Sequence, residues 1–303
     1  MSDPVRSQFA EYAAYLASGP HFDLQELNQR LAERWPAELG QAPRFARADA
    51  RDGDPGLHYE LRIAERGEIL LRPGSWHDAF AALVWLQWPA LKWALHREHM
   101  HDLALVGAKQ RTRHQQAITH LDEGGAILIY RDERVIEALD QHDWPRLYAT
   151  DLRASFRVQV IGHALHELRW LKPSQLLAAK VLPVQADEAL WALDGLAQRQ
   201  VLDPILARAI ATRRLGDDPK DMPTLPLAGL PEWRPRHDLA DADAPSTGKL
   251  APEKLARRQR DLALALAGDE ARFLREASCF RPRPAGRSYA PPLRLAERVA
   301  LAS

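Results

Sequence analysis

Apolar residues recur at helical spacing along most of the chain. An apolar stripe that begins at Leu24 follows Asp23, a residue type that caps helix N-termini, so a helix is predicted over 24–35. Similar patterns predict further helices over 5–17, 134–141, 163–171, 189–202, 204–215 and 252–267. Pro204 follows Asp203 and suits the first position of a helix. The pattern therefore indicates a mainly helical protein.

The most apolar segment of the chain covers residues 79–95. It is 17 residues long and is interrupted by Gln87, Pro89 and Lys92, so it is too short for a normal membrane-spanning helix. Ser75 precedes it and has the side chain of an N-cap, while Pro89 either kinks the helix or opens a second one. The segment is predicted to form buried core helices.

A smaller number of runs have the pattern of strands. The runs 57–63 and 68–72 flank a glycine-containing turn and predict a short hairpin. A second hairpin is predicted within 118–130, with Asp122 and Glu123 at its tip. Further strand-like runs cover 156–161 and 176–184.

Prolines recur toward the C-terminus and predict an irregular wrap, because they disfavour regular elements. Residues 236–251 are rich in Asp, Ala, Pro and Ser, which predicts a flexible surface loop. The predicted fold is a single α+β domain, predominantly helical, with small hairpins or a mixed sheet packed on helices. The domain is predicted to comprise 1–235 and to be closed by 268–285. Residues 236–267 are interpreted as an insertion of a loop and a helix, and 286–303 as a C-terminal tail.

Composition narrows the classes of function. Lys plus Arg and Asp plus Glu both number 41, so the overall charge attracts the chain neither to nucleic acid nor to an anionic membrane. Cys279 is the only cysteine, which excludes an intramolecular disulfide and a cysteine-based zinc site and suits a reducing compartment. The first residues lack a basic segment followed by an apolar core, so we expect a cytoplasmic protein. No partner is indicated.

A histidine and an aspartate that follow Ser75 are residue types that bind metal ions. His77 and Asp78 fall in the first turn of the predicted helix, where the helix dipole favours charged Asp78 and neutral His77. A neutral imidazole is the form that binds metal or accepts a proton. The alternative is local, with Asp78 bonding a free N–H group and His77 packing beside Trp76.

Two further segments carry candidate residues. His163 lies one helical turn before His166 and Glu167, so two of these side chains can converge on one ion. Asp122 and Glu123 suit proton transfer, but adjacent carboxylates at a turn are usually solvated. The order of these residues differs from that of the zinc-protease motifs, and no phosphate loop or nucleophile elbow is present in the sequence.

Other polar clusters are interpreted as surface. His96, His99 and His101 lie among charged residues, which predicts a solvated helix end. The runs Arg257-Arg258-Gln259-Arg260 and Arg281-Pro282-Arg283 are predicted to be solvated faces. Nucleic-acid binding would require the two runs to share a face with exposed aromatic residues.

The order of several motifs resembles one known family. The matching segments are Ser75-Trp76-His77-Asp78-Ala79-Phe80 with Ala82-Leu83-Val84-Trp85, Leu121-Asp122-Glu123-x-Gly125, Gly162-His163-Ala164-Leu165, Pro226-Leu227-x-Gly229-x-Pro231 and Phe280-Arg281-Pro282. In these segments the chain resembles DUF3025, a bacterial family of unknown function. It departs from the family pattern at Ala81, where an asparagine is expected, at 232–234, where paired tryptophans are expected, and across 236–267.

The resemblance implies no activity, but it narrows the candidate site. The family's motif residues coincide with His77, Asp78, Asp122, Glu123 and His163. The histidines that fall outside the motifs are His96, His99, His101 and His166.

Two hypotheses of function follow. In the first, a metal-assisted hydrolase holds one divalent ion with His77, His163 and either Asp78 or Asp122. Glu123 handles protons, and Asp122 is the second catalytic candidate. In the second, a non-enzymatic binding or scaffold protein uses the same side chains as caps, turns and hydrogen bonds. Geometry discriminates them, because side chains more than about 10 Å apart cannot share one ion.

Overall fold

A computed structural model describes residues 3–48, 59–107, 109–214, 217–235 and 251–295 of the 303-residue chain. The helices are α1 (Pro4–Gln8), α2 (Ala13–Ser18), α3 (Leu24–Arg34), α4 (Tyr59–Arg66), α5 (Trp76–Gln87), α6 (Pro89–Val106), α7 (Arg113–Gly124), α8 (Glu133–Gln141), α9 (Trp144–Leu147), α10 (Thr150–Arg153), α11 (His163–Leu171), α12 (Glu188–Ala192), α13 (Gly195–Ala211), α14 (Pro252–Leu266) and α15 (Glu270–Glu276). The strands are β1 (Arg44–Arg47), β2 (Glu68–Leu71), β3 (Gly125–Tyr130), β4 (Phe156–Val160), β5 (Ala178–Gln185), β6 (Thr224–Pro226) and β7 (Leu293–Arg294). The predicted class, a mainly helical α+β fold with a small mixed sheet, is confirmed.

The chain divides into two compact units. The sheet unit comprises Met1–Gln8, Gly124–Trp191 and Lys220–Ser303. The helical unit comprises Phe9–Glu123 and Ala192–Pro219. The flexible loop predicted over 236–251 lies outside the described residues except for its last residue, and the helix predicted after it is α14.

A five-stranded mixed sheet forms the centre of the sheet unit. Its order is β4-β3-β5-β6, and β7 pairs with the distal end of β5. Strand β3 runs antiparallel to β4 and parallel to β5, and β5 runs antiparallel to β6. All six residues of β3 are buried. A continuous apolar strand of this kind is typical of a sheet that is covered on both faces.

The proline-rich residues 220–235 of the sheet unit are irregular, as predicted. Apart from β6, they contain two short 3-10 turns, Leu227–Gly229 and Pro231–Trp233. The Tyr148 hydroxyl donates a hydrogen bond to the Pro226 carbonyl at 2.5 Å. Phe273 and Phe280 from the last third of the chain join the same buried cluster as Tyr148. This cluster therefore ties distant segments of the chain into one core.

Buried helices α5 and α6 form the centre of the helical unit, as the apolar run 79–95 predicts. The Ser75 hydroxyl accepts a hydrogen bond from the Asp78 N–H at 3.1 Å, which confirms Ser75 as the N-cap of α5. Helix α5 ends at Gln87, and Pro89 opens a second helix. None of the described helices combines the length and the apolar character needed to cross a membrane.

Helix α13 packs on α6 and contains Pro204 in its interior. The predicted helix boundary at Pro204 is wrong, because Asp203 does not cap its own helix. The Asp203 carboxylate instead accepts hydrogen bonds from the N–H groups of Ala90 and Leu91, at 2.9 and 2.8 Å. The N–H groups in the first turn of α6 have no acceptor within their own helix. The capping residue is therefore supplied by a helix more than 100 residues away along the chain.

The hairpin predicted over 57–72 is wrong. Residues from Tyr59 to Arg66 form α4, in which Arg62 and Ile63 are buried. Strand β2 is present, but its partner is β1, which runs parallel to it and pairs Phe45 with Ile69. A parallel partner more than 20 residues away leaves no turn signal in the sequence, and the short alternation before Gly67 is also compatible with a helix.

The hairpin predicted over 118–130 is also wrong. Helix α7 runs to Gly124 and passes directly into β3 at Gly125. Its buried positions His114, Ala117, Ile118 and Leu121 have the spacing of a helix face, which extends past the run that suggested a strand. Asp122 and Glu123 therefore lie in the last turn of a helix and not at the tip of a hairpin.

Candidate metal centre

The first turn of α5 holds Asp78 in a network with Arg72. One carboxylate oxygen of Asp78 accepts hydrogen bonds from the Arg72 backbone N–H at 2.6 Å and from its Nε at 2.9 Å, and the other accepts from Nη2 at 2.7 Å. Burial alone would raise the pKa of Asp78, but the hydrogen bonds from Arg72 hold it below its usual value of 3.8. Both oxygens of this carboxylate are thus engaged within the fold.

His77 precedes Asp78 in the same turn and is half-buried. The N-terminal end of α5 carries a partial positive charge. A neutral imidazole is the form that binds metal.

The last turn of α7 presents Asp122 and Glu123, both half-buried. Carboxylates at a helix C-terminus meet the negative end of the dipole, so a nearby cation stabilises them. Asp122 has such a cation, because the Lys92 ammonium group of α6 forms a short salt bridge with it. Lys92 is buried and its Nζ lies 5.2 Å from the centre of the Trp85 ring. The lysine that interrupts the apolar run thus orients one of the two carboxylates.

His163 is the first residue of α11 and is 4% exposed. Gly162 occupies the N-cap position without a side chain, so the first turn of α11 remains a region of positive potential. His166, one turn further on, is fully buried and its Nε2 lies 3.2 Å from the Val160 carbonyl and 3.3 Å from Nε2 of Gln8. These polar neighbours of His166 thus lie within the sheet unit.

His77, Glu123 and His163 offer one group of metal ligands. One ligand atom from each of the three side chains lies within 4.8 Å of the corresponding atoms of the other two, which is near enough to hold one metal ion. The group contains neither Asp78 nor Asp122. Two imidazoles and one carboxylate are ligands that zinc and similar divalent ions accept.

The profile of one family matches residues 44–242, about two thirds of the chain, and its description is "Protein of unknown function (DUF3025)". The chain belongs to the DUF3025 family. The match includes all three ligands of the group, whereas the Phe280-Arg281-Pro282 segment lies beyond its end. Neither the curated proteins nor the solved structures contain a match to this DUF3025 chain.

The histidines of α6 are packed more tightly than the sequence indicates. His96 was expected on a solvated helix end, but it is 4% exposed and its Nδ1 lies 2.6 Å from a carboxylate oxygen of Glu60. Burial lowers the pKa of His99, although the nearby carboxylates of Glu60 and Asp122 act in the opposite direction. His101 is exposed, as expected. The prediction of a solvated trio is therefore wrong for His96.

Sequence reasoning missed the side chains that hold the candidate carboxylates of the DUF3025 chain. Arg72 binds Asp78 and Lys92 binds Asp122. Lys92 had a signal, since it is a single charge within an apolar run and a buried charge requires a partner. Arg72 had none, because an arginine beside a proline-glycine turn is ordinary in a surface segment.

Proposed function

We propose that this protein is a metal-dependent hydrolase in which His77, His163 and Glu123 hold one divalent ion. The observation that carries the proposal is the mutual distance of at most 4.8 Å between their ligand atoms. Zinc lies about 2.0–2.2 Å from nitrogen and oxygen ligands, so atoms that share an ion lie at most about 4.4 Å apart and only a small closing movement is needed.

The donor set favours catalysis over a purely structural role of the ion. Three protein ligands leave a coordination position for water or substrate, whereas structural zinc sites use four protein ligands, commonly with cysteine. When bound, such an ion supplies a Lewis acid that polarises the substrate and makes water more acidic.

The other two candidates take different parts in the proposal. Asp78 is not proposed as a metal ligand, because both of its carboxylate oxygens accept hydrogen bonds from Arg72. Asp122 keeps the catalytic role expected from the sequence, as the acceptor of a proton from the attacking water. Its salt bridge with Lys92 orients the carboxylate, and positioning is the main requirement of a general base.

Metal binding is tested by elemental analysis and by titration of the metal-free protein with zinc, manganese and magnesium. We expect about one bound ion per chain. Changes to residues outside the ligand shell typically weaken metal binding about 10–100-fold, so His77→Ala, His163→Ala and Glu123→Gln should each weaken it at least as much. His120→Ala is the matched control, because His120 is an exposed histidine of the same helix as Glu123. It should bind metal like the parent protein.

The catalytic part is tested with chromogenic esters and phosphate esters on the metal-loaded protein. Asp122→Asn should retain the ion and lower kcat by about 10²–10⁴-fold, the usual contribution of a general base. Absence of stoichiometric metal in the parent protein would overturn the whole proposal. Stoichiometric metal with hydrolysis unaffected by Asp122→Asn would overturn only the role of Asp122.

The non-enzymatic alternative is favoured by a separate observation. Asp78 and Asp122 are each neutralised by a cation of their own fold, as expected for side chains that stabilise helix ends. Under this alternative, His77→Ala and His163→Ala lower the free energy of unfolding of the metal-free protein and added metal does not change it. The same titration therefore separates the two functions.

A further inference from the structure

The sheet unit contains a cavity of about 810 Å³ that is distinct from the candidate metal centre. Small-molecule sites usually have volumes of about 300–1,000 Å³, so its size suits a ligand of nucleotide dimensions. Its wall includes basic side chains from separate segments of the chain, among them Lys172, Lys254, Arg257, Arg258, Arg281 and Arg287.

Among the described residues, the wall of this cavity contains more basic side chains than carboxylates. Asp261 is the one carboxylate among the described residues of the wall. Its oxygens accept hydrogen bonds from the backbone N–H of Ser278, at 2.9 Å, and from the Ser278 hydroxyl. Within the described ranges, Lys172 and Arg257 form no ion pair with a carboxylate. Like charges gathered around a cavity repel one another, and an anion that enters the cavity relieves that repulsion.

The two arginine runs each contribute only part of their length to the wall. Arg257 and Arg258 line the cavity, whereas Arg260 points to Glu276, with a distance of 3.8 Å between Nη2 and the carboxylate. Arg281 lines it as well, whereas Arg283 donates a hydrogen bond to the Arg287 carbonyl. Arg257 and Arg281 are exposed, as the interpretation of both runs as solvated faces predicts, and they also line the cavity.

Aromatic rings lie beside the basic side chains. The rings of His142 and Tyr289 are nearly parallel, with 8° between their planes and 6.0 Å between their centres, and His142 Nε2 lies 2.6 Å from the Tyr289 hydroxyl oxygen. The Arg281 carbonyl accepts a hydrogen bond from Trp144 Nε1 at 2.9 Å. These contacts fix the segment that carries Arg281 and Arg287 against α9. A flat ring surface next to guanidinium groups complements a base joined to phosphates.

We infer that this cavity binds a nucleotide-sized phosphorylated molecule, with its phosphates at Arg257 and Arg281 and its aromatic ring beside His142 and Tyr289. Arginine forms paired hydrogen bonds with phosphate oxygens, which lysine does not. The limited volume of about 810 Å³ favours a small ligand over a nucleic-acid strand, which needs a groove that continues along its backbone.

The experiment is isothermal titration calorimetry of the full chain with ATP, pyrophosphate and adenosine in excess EDTA. Chelation removes any contribution of the proposed metal centre. Absence of ATP binding would therefore leave the metal-centre proposal intact, and absence of bound metal would leave the nucleotide inference intact. We expect saturable binding of ATP, competition by pyrophosphate, and at least roughly tenfold weaker binding of adenosine, because charge-assisted hydrogen bonds to phosphate supply most of the affinity.

Two double variants test the position of the site. Arg257→Ala with Arg281→Ala should weaken ATP binding at least roughly tenfold, since two charged hydrogen-bond donors are lost. Arg260→Ala with Arg283→Ala is the matched control, because it removes the same charge from the same two runs outside the wall. It should change the Kd less than about twofold.

Three outcomes would overturn the inference. The first is absence of saturable ATP binding by the parent chain at millimolar concentration. The second is equal loss of affinity in the two double variants, which would indicate a general surface effect. The third is binding of a single-stranded oligonucleotide more than tenfold tighter than ATP, which would assign the surface to nucleic acid.

Discussion

Adjacent residues with the same apparent chemistry have different partners in this protein. His77 and Asp78 share one helix turn and both lie in a family motif, but only His77 belongs to the group that can hold an ion. Asp78 accepts three hydrogen bonds from Arg72 in addition to its place in the first turn of α5. Residue type and spacing alone cannot separate the two roles, because the deciding partner precedes the helix.

The structure predicts that Asp78→Asn lowers stability without removing metal binding. Loss of the charged partner of Arg72 should lower the free energy of unfolding by about 1–3 kcal/mol at pH 7. The pKa of Asp78 is held below 3.8 in the folded state, so its contribution is complete above the unfolded value and is lost as the pH falls through the folded value. The difference from the parent protein should therefore shrink below about pH 4.

Urea unfolding of both proteins from pH 7 to pH 3 measures this difference, with metal content determined in parallel. Glu65→Gln is the control, because Glu65 is an exposed carboxylate of the same unit. A difference between Asp78→Asn and the parent that is independent of pH would contradict the ionic role of Asp78.

Helix ends that are capped by residues nearby in the sequence could be predicted, whereas helix ends that are capped by residues far away in the sequence could not. Ser75 caps α5 through a hydrogen bond three residues away, and the sequence predicts that helix correctly. Asp203 has an equally good capping side chain, but it caps α6 from a distant part of the chain. Burial raises the pKa of Asp203 to about 6 against the effect of those two N–H donors, which reflects how far this carboxylate is removed from water.

The candidate metal centre follows the same division. The residues His77, Glu123 and His163 were all candidates from the sequence, because local helix ends and family motifs mark them. The hairpin predicted around Glu123 is wrong. Helix α7 passes into the buried strand β3 without a loop, and a short apolar run on each side of the junction resembles two strands joined by a turn. The partners Arg72 and Lys92 depend on tertiary packing. Lys92 has a signal as a single charge within an apolar run, whereas Arg72 has none.

The turn at Leu227–Gly229 requires glycine for space. A Cβ atom at Gly229 would lie 2.3–2.5 Å from three ring atoms of Tyr148, far inside van der Waals contact. The ring cannot easily move, because its hydroxyl is bonded to the Pro226 carbonyl and its edge packs against Phe280 with 6.1 Å between ring centres. The glycine of this family motif is thus explained by packing.

Gly229→Ala should lower the free energy of unfolding by about 2–3 kcal/mol, as overpacking of a rigid core does. Chemical denaturation monitored by near-ultraviolet circular dichroism measures the loss. Gly195→Ala is the matched control, because no atom lies within 4 Å of the corresponding Cβ position at the start of α13. Equal stability of the two variants would contradict the steric role of Gly229.

At the scale of the whole molecule, the formal charge is zero, but the wall of the cavity in the sheet unit carries an excess of basic side chains among its described residues. Lys plus Arg and Asp plus Glu both number 41, yet the described wall of the cavity carries many cations and one carboxylate. Net charge therefore describes the long-range field of this protein but not its local sites. The basic cavity has to be found from the arrangement of the segments, since its arginines come from runs that look solvated in the sequence.

The family match and the folded core have different limits. The match ends at residue 242, but the buried cluster of the sheet unit includes Leu264, Phe273, Leu274 and Phe280. These side chains come from α14, α15 and the segment after α15. Within the cluster, Phe280 packs on Tyr148 with 6.1 Å between ring centres, and Phe273 packs on Phe280 with 5.1 Å. The segment beyond the match is therefore part of the core and not an appendage.

We predict that a chain ended after residue 242 does not form a native sheet unit, because its core loses a whole layer of apolar side chains. Near-ultraviolet circular dichroism and the cooperativity of urea unfolding measure this loss. Phe273→Ala in the full chain should act in the same direction and cost about 3–5 kcal/mol. Arg272→Ala changes an exposed neighbour on the same helix and should stay within about 0.5 kcal/mol of the parent protein. Native packing and cooperative unfolding of the shortened chain would contradict the prediction, since the apolar layer would then be dispensable for this core.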